Sequence, residues 1–443
     1  MTFAAAGPKI PSSPVAAVIV VVVLGAVSVP IIRRVVRKEG DPRLTAVLVW
    51  SLVLHFLAAP GQVFVVDHVY HGVSDFTRYV HQGTLLVPNF RSGHFTLSGS
   101  GITTILGDGS VSIAAGVVFT VVGVNELAGF LVFAWLSFLG SIGFYRAFAT
   151  TFPEGDRRRY ALMLFFLPSL IFWTSDVSKE AIMTFTLGIA AYGAARVLAR
   201  QPRGYPLMLL GILMGVAIRP NESTLFVGGF AVAIFFRMRA PGQTMNGLRR
   251  LITLVSLVAA LIVLGVLTWK FLHTSSTSIT GVLKKIGSNN TGQGAGFGSS
   301  NVSYSPDPLL YPRDVYTVLF DPLPFSARSP VQFLAALENT IIVVLIATSL
   351  RRLRVVWRAA RLRPYVMLCL TFSLAFLYTF AALGNLGLIE RERTVMFPFF
   401  LVLLAIPISA KGDPPQFPWE QPRTKRRDRR RGAVPAPALP RRA

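Results

Sequence analysis

The densest chemistry in the chain lies between the second apolar run and Gly83, where Asp67, His68, Tyr70, His71, Asp75, Tyr79 and His81 follow one another closely. On a helix Asp75, Tyr79 and Gly83 fall at i, i+4 and i+8 and share one face. A carboxylate in such a loop can accept the proton of an attacking hydroxyl, and it needs no metal for this if basic residues hold a leaving phosphate. His68 with His71 and either aspartate would also suit a divalent cation. Their spacing matches no strong zinc signature, so metal binding stays open and no cofactor is called for.

Three further groups alternate acids and bases: Ser175-Asp-Val-Ser-Lys179-Glu180, Arg219-Pro-Asn-Glu222 and Glu390-Arg-Glu-Arg393. Each alone also reads as a solvated loop or an ion pair at a helix end. Charged groups at bilayer depth cost several kcal/mol unless paired or hydrated, so they more often line a cavity than face lipid. Cations gathered beside a carboxylate are what phosphate chemistry needs.

The elements that position these groups are membrane spans. The chain has 443 residues, 52% hydrophobic and 14% charged, with a mean hydropathy of +0.56. Soluble proteins carry about 25% charged residues, and no stretch here has room for a large soluble enzyme domain. Apolar runs at 15–32, 44–66, 127–149, 160–175, 181–198, 205–218, 221–236, 251–272, 331–350, 364–384 and 394–410 predict an all-α polytopic transmembrane bundle of about eleven spans. The Gly- and Ser-rich run 102–124 is expected to be re-entrant or interfacial, because a full crossing would invert every later segment.

The net charge of +24 suggests nucleic acid until the charges are placed. Alternate span ends hold Arg33 to Arg43, Arg157 to Arg159, Arg196 to Arg203, Arg237 to Arg250, Arg351 to Arg363 and Arg423 to Arg431. Counted with the span ends and loop residues beside them and the whole tail to residue 443, these segments carry 32 of the 44 Lys and Arg and only 7 of the 20 Asp and Glu. The positive-inside rule puts them in the cytoplasm, with the N-terminus outside and the C-terminus inside. The basicity follows topology, and no nucleic-acid partner is expected. Residues 1–410 form the expected membrane domain with outer loops 67–125 and 273–330, and 411–443 a disordered, basic cytoplasmic tail. Gly287 to Asn301 reads as a flexible loop. Cys369 is the sole cysteine, which excludes an intramolecular disulfide.

Several motifs recur in a characteristic order. They are Asp75-x-x-x-Tyr79-x-x-x-Gly83, Pro168-x-x-x-Phe172-Trp-x-Ser-Asp176-x-x-Lys179-Glu180, Arg219-Pro220, Pro322-Leu-Pro-Phe325 with Glu338-Asn339, and Asn385-x-Gly387-x-x-x-Arg391-x-Arg393-x-x-x-x-Pro398. Over about residues 67–400 the series resembles bacterial membrane proteins of the glycosyltransferase C and envelope-polysaccharide polymerase type. The resemblance implies an inverting transferase in the bacterial plasma membrane. It would move a sugar from a polyprenyl-phosphate carrier, on the outer side, to a growing glycan, lipid or protein. It also implies an acidic base in an early outer loop, a role that falls by position to Asp75, with Asp67 the substitute. Lys179, Arg219, Arg391 and Arg393 would bind phosphate, with Tyr79, His71, His81 and Asp176 also lining the substrate site. Glu180 and Glu222 read as partners that hold Lys179 and Arg219. A polymerase of lipid-linked repeat units has nearly the same local chemistry. A flippase or transporter of lipid-linked sugars would want charges through the spans, which are nearly free of them.

Overall fold

The computed structural model describes residues 13–68, 75–153, 156–238, 311–325, 327, 330–380 and 386–407, with five isolated positions between 255 and 266. Among the described residues the chain is all α, in sixteen helices. They are α1 (Pro14–Glu39), α2 (Leu44–His68), α3 (Asp75–Arg91), α4 (Asp108–Val122), α5 (Glu126–Thr151), α6 (Arg158–Phe166), α7 (Pro168–Phe172) and α8 (Lys179–Leu198). There follow α9 (Gly204–Ile218), α10 (Pro220–Met238), α11 (Tyr311–Phe320), α12 (Pro330–Ala347), α13 (Leu350–Leu353), α14 (Val356–Leu362), α15 (Pro364–Phe380) and α16 (Leu386–Ala405). Met1–Ile406 forms one unit and Pro407–Ala443 a second. All but those five positions of the run 251–272, the loop from Gly287 to Asn301 and the tail beyond Pro407 lie outside the described residues.

This is a helical, membrane-embedded protein. Among the described residues four helices, α1, α2, α5 and α8, are long and apolar enough to cross a bilayer, and shorter apolar helices include α4, α9 and α15. The expected eleven spans are therefore not all present as single long apolar helices, and the reasons are local. The run 160–175 divides into α6 and α7 where Leu167 turns extended and Pro168 opens α7, since proline lacks the N–H that would continue the ladder. The last run is part of the longer α16, whose first half carries Glu390, Arg391, Glu392 and Arg393. Helix α4 has 15 residues, about 22 Å of rise, against the roughly 30 Å of a hydrocarbon core.

Within lipid, helices gain little by hiding apolar side chains from one another, so close backbone approach over small residues does much of the packing. Helices α5 and α8 meet this way. A Cβ on Gly188 would strike the Gly140 carbonyl, and one on Gly140 would strike Thr184. Helix α8 is central, with 83% of its apolar window buried, whereas α1 has 22% and turns Val18, Ile19, Val22 and Val23 outward. Helices α3 and α4 form a second close pair, since a Cβ on Gly83 would lie 2.9 Å from both Ala115 Cβ and the Gly116 nitrogen.

The ends of the helices divide by charge. At one end Arg157 pairs with Glu39 at 2.6 Å. There Arg159 donates to the Leu404 and Leu345 carbonyls (3.2 and 3.4 Å) and to Ser349 Oγ (2.7 Å). Arg352 donates to Ile406 O at 2.6 Å, Arg237 to Val197 O at 3.1 Å, and Arg363 to Thr151 O. These arginines satisfy carbonyls at the C-termini of α5, α8, α12 and α16, where orphan acceptors and the negative end of the helix dipole favour a cation. The opposite ends of α8, α9 and α10, together with the first turns of α3 and α4, hold the groups described next.

Candidate functional site

Helix α8 opens on Ser178, whose hydroxyl accepts the Ala181 N–H at 3.3 Å and caps the helix. The cap fixes Lys179 and Glu180 at the start of the central helix. Helix α9 ends at Ile218 and α10 begins at Pro220, leaving Arg219 at the corner in extended backbone. Helix α4 is tied to the same corner, because the Gly107 N–H and the Ser110 hydroxyl both donate to Ala217 O, at 2.8 and 2.7 Å.

Arg219 is the hub of a buried cluster. Its guanidinium reaches Glu180 and Glu222 at 2.6 Å each and Glu392 through two bonds, one of them 2.8 Å. Arg391 joins the cluster through Glu180 at 2.9 Å and extends it to Asp75 at 3.3 Å. The Glu180 and Glu222 side chains are fully buried, while Asp75 is 58% exposed. Asp75 is thus the one of these three acids that a solute can reach directly.

Above this cluster lies a more open one centred on Asp108, the first residue of α4. Its carboxylate accepts the Tyr79 hydroxyl at 2.9 Å, lies 2.5 Å from Lys179 Nζ and pairs with Arg78. Burial alone would raise its carboxyl, but the adjoining Lys179 and Arg78 outweigh that and hold it below the usual carboxylate range.

The buried part of the site is richer in acids than the sequence suggests. Asp176, Glu180, Glu222 and Glu392 have Arg219 and Arg391 as their nearest cations, with Lys179 acting on Glu392 as well, and full ionisation would leave excess negative charge in a low-dielectric interior. Protons relieve it. Asp176 sits in the turn between α7 and α8 with Oδ1 unpartnered, and burial pushes its carboxyl up to about 6 although Arg391 draws it down. The expected surplus of phosphate-seeking cations is accordingly not what this cluster holds. Arg219 is saturated by carboxylates, and the cations a solute can reach are Arg78 and Lys179 of the more open cluster and Arg391 at the edge of the buried one.

The other sequence candidates fall in several places. Arg393 stands apart: it is 1% exposed and donates to Asn339 Oδ1 at 2.6 Å and to the Val318 and Leu319 carbonyls at 3.3 and 3.4 Å. It ties the end of α11 to α12, and Asn339 continues the tie to Pro322 O at 2.9 Å. Asp67 is exposed at the end of α2, and His68 stacks on Phe64 with centroids 4.4 Å apart. Tyr79 is buried against Asp108 and His81 is half-buried on α3. Tyr70 and His71 lie outside the described residues. Among the described residues no three His, Cys, Asp or Glu are grouped as a metal site would require.

Asp108 and Arg78 are the residues that sequence reasoning missed. The available signal was a single acid at the head of an otherwise uncharged apolar run, Gly107-Asp108-Gly109. Compared with protein-family models, with curated proteins and with solved structures, the chain matches none.

Proposed function

We propose that this chain is a membrane glycosyltransferase that transfers a sugar from a polyprenyl-phosphate donor to an envelope glycan, lipid or protein acceptor at the outer face of a bacterial plasma membrane. The observation that carries the reading is the convergence of an exposed carboxylate, Asp75, with Arg391 at 3.3 Å, next to the Lys179–Asp108 pair. Residues from α3, α4, α8 and α16, far apart in the chain, supply this one surface.

In the proposed reaction Asp75 takes the proton of the acceptor hydroxyl as its oxygen attacks the anomeric carbon. The bond from that carbon to the phosphate oxygen breaks with inversion, and the electron pair leaves on polyprenyl phosphate. Lys179 and Arg391 stabilise the departing phosphate; the Ser178 cap of α8 places Lys179 beforehand, and Glu180 places Arg391. Arg219 holds Glu180 and so acts through it as a positioning residue, while Arg393 has no part in the chemistry. The sugar, the linkage and any divalent cation are unassigned.

The test is sugar transfer by the purified chain in lipid, supplied with polyprenyl-phosphate sugars and candidate acceptors. Asp75→Asn is expected to lower kcat by about 100-fold or more, the ordinary contribution of a general base, whereas Asp67→Asn leaves turnover near that of the parent chain. Equal turnover in Asp75→Asn and the parent chain removes Asp75 as the base. No transfer from any polyprenyl-phosphate donor removes the function.

A further inference from the structure

The Asp108 carboxylate occupies a position at which two cations and a phenol converge, and that position is open. The side chains of Arg78, Asp108 and Lys179 are 52%, 39% and 22% exposed, whereas the carboxylates around Arg219 are 0–12% exposed. Arg78 and Lys179 together carry one more charge than Asp108 neutralises. The nearby Asp75 is already engaged by Arg391. The donors come from separate elements, α3 for Arg78 and Tyr79 and α8 for Lys179, and they enclose a single anionic group.

The packing of α4 has fastenings besides that carboxylate. The helix is fastened by Ser110 and Gly107 to Ala217 O, by Ser112 Oγ to Gln82 Oε1 at 2.8 Å, and by the backbone approach of Gly83 to Gly116. Lys179 is likewise held by the capped start of α8. These bonds position the cradle independently of its anion. An arginine fork suits carboxylate and phosphate alike, and with an ammonium and a hydroxyl beside it the cradle has donors for the additional oxygens that a tetrahedral phosphate brings.

We propose that Arg78, Tyr79 and Lys179 form a phosphate-binding subsite in which Asp108 is the resident anion, displaced when a phosphate monoester or diester arrives. The assignment rests on the proposed sugar transfer for its purpose, since it names where the lipid phosphate lands, but the binding itself is independent of turnover. The displaced carboxylate competes with the incoming phosphate. It keeps the two cations paired in the empty protein and weakens the hold on anions of lower charge.

The experiment is a binding titration of the full chain in nanodiscs, with inorganic phosphate in one arm and polyprenyl phosphate incorporated in the disc in the other. Asp108→Asn removes the competing charge at nearly constant shape, and it is expected to tighten phosphate binding by about tenfold, the effect of one charge contact of ordinary size. Arg78→Gln and Lys179→Gln are expected to weaken it by about as much, and Lys179→Gln added to Asp108→Asn cancels the gain. A structural salt bridge predicts the opposite sign for Asp108→Asn, so unchanged or weaker binding overturns the proposal. If Asp108→Asn does not fold, Arg78→Gln and Tyr79→Phe in the native background decide, and undiminished affinity in both overturns it. A gain in both arms assigns the site to phosphate in general, and a gain in one arm identifies lipid or free phosphate as the source. Tighter phosphate binding in a chain that transfers no sugar keeps the subsite and discards the transferase; intact transfer with an unresponsive titration does the reverse.

Discussion

Arg219 holds three carboxylates at once, so the cluster depends on it more than on any single acid. Withdrawing one partner from a buried ion cluster leaves desolvated charge behind and costs about 3–5 kcal/mol. Arg219→Met is therefore expected to lower Tm sharply in thermal unfolding of the detergent-solubilised chain. Glu222→Gln removes part of the negative excess and is expected to leave Tm unchanged or raised; a larger loss in Glu222→Gln than in Arg219→Met would contradict this charge balance. Asp176 gives the cluster a pH signature. Its carboxyl is raised from 3.8 to about 6, so between those values the folded chain keeps a proton that the unfolded chain has released. Stability from this group then falls as pH rises through that window and levels off above about 6. Tm measured across the window is expected to decline less in Asp176→Asn than in the parent chain, and identical slopes would show that Asp176 does not carry the proton. Part of this was legible in the sequence. The alternation of acids and bases marked Lys179, Glu180, Arg219, Glu222 and Glu392 as a set, and Glu222 does hold Arg219. The pairing of Lys179 was not legible, because its partner is Asp108, from a distant run that reads as apolar, while Glu180 turns to Arg219 and Arg391. The enclosure of Arg393 by α11 carbonyls is equally invisible to residue type, since an arginine that caps a helix and one that awaits phosphate look the same in one dimension.

Helices in this chain are specified by hydropathy where they are long and by punctuation where they are short. The runs 44–66, 127–149 and 181–198 became α2, α5 and α8 with nearly the expected bounds, because uninterrupted apolar sequence has one solution in lipid, an α-helix with all its backbone groups paired. The runs 160–175 and 394–410 departed from it for reasons the same sequence contains, Pro168 in the first and four consecutive charges just ahead of the second. What hydropathy does not convey is which helices touch. That information sits in the glycines of α5 and α8, where Gly140 and Gly188 bring backbone against backbone and their added Cβ atoms would collide. Overpacking such a contact costs about 1–3 kcal/mol. Gly188→Ala is accordingly expected to lower Tm by several degrees and Gly188→Leu to prevent assembly of the bundle. By contrast Gly25→Ala on α1, where a Cβ meets nothing within 4 Å, leaves Tm unchanged. The comparison is read by size-exclusion and thermal unfolding, and equal behaviour of Gly25→Ala and Gly188→Ala would show that α5 and α8 do not pack through these residues. A shift at the head of α8 would also move Lys179 and Glu180, so Gly188→Ala should weaken phosphate binding without touching any ligand.

At the scale of the whole molecule the two ends of the bundle have different chemistry, and the central helix measures the distance between them. Helix α8 runs 20 residues from Lys179 to Leu198, about 30 Å at 1.5 Å per residue, the thickness of a hydrocarbon core. Its first turn enters the mixed acid and base network, and its last turn lies among arginines that cap helix C-termini. Arginine is retained on the cytoplasmic side of membrane proteins, so the orientation proposed for this chain puts the arginines that satisfy those carbonyls inside and the Asp75 surface outside. An outward surface suits acceptors that leave the cell and donors whose carrier has already crossed. Sidedness is tested with an impermeant maleimide on a Cys369→Ser background, which removes the one native thiol, itself buried. With cysteine placed in turn at exposed Asp75 and exposed Arg354, Asp75→Cys is expected to label in intact cells and Arg354→Cys only after the cells are opened. The reverse pattern would leave the ion network intact but turn it toward the cytoplasm, where the positive-inside arginines would face the wrong way and an outer-leaflet transfer would have no base. Labelling of both positions from one side would mean that α8 does not cross, and the separation of the two ends would then be a feature of packing alone.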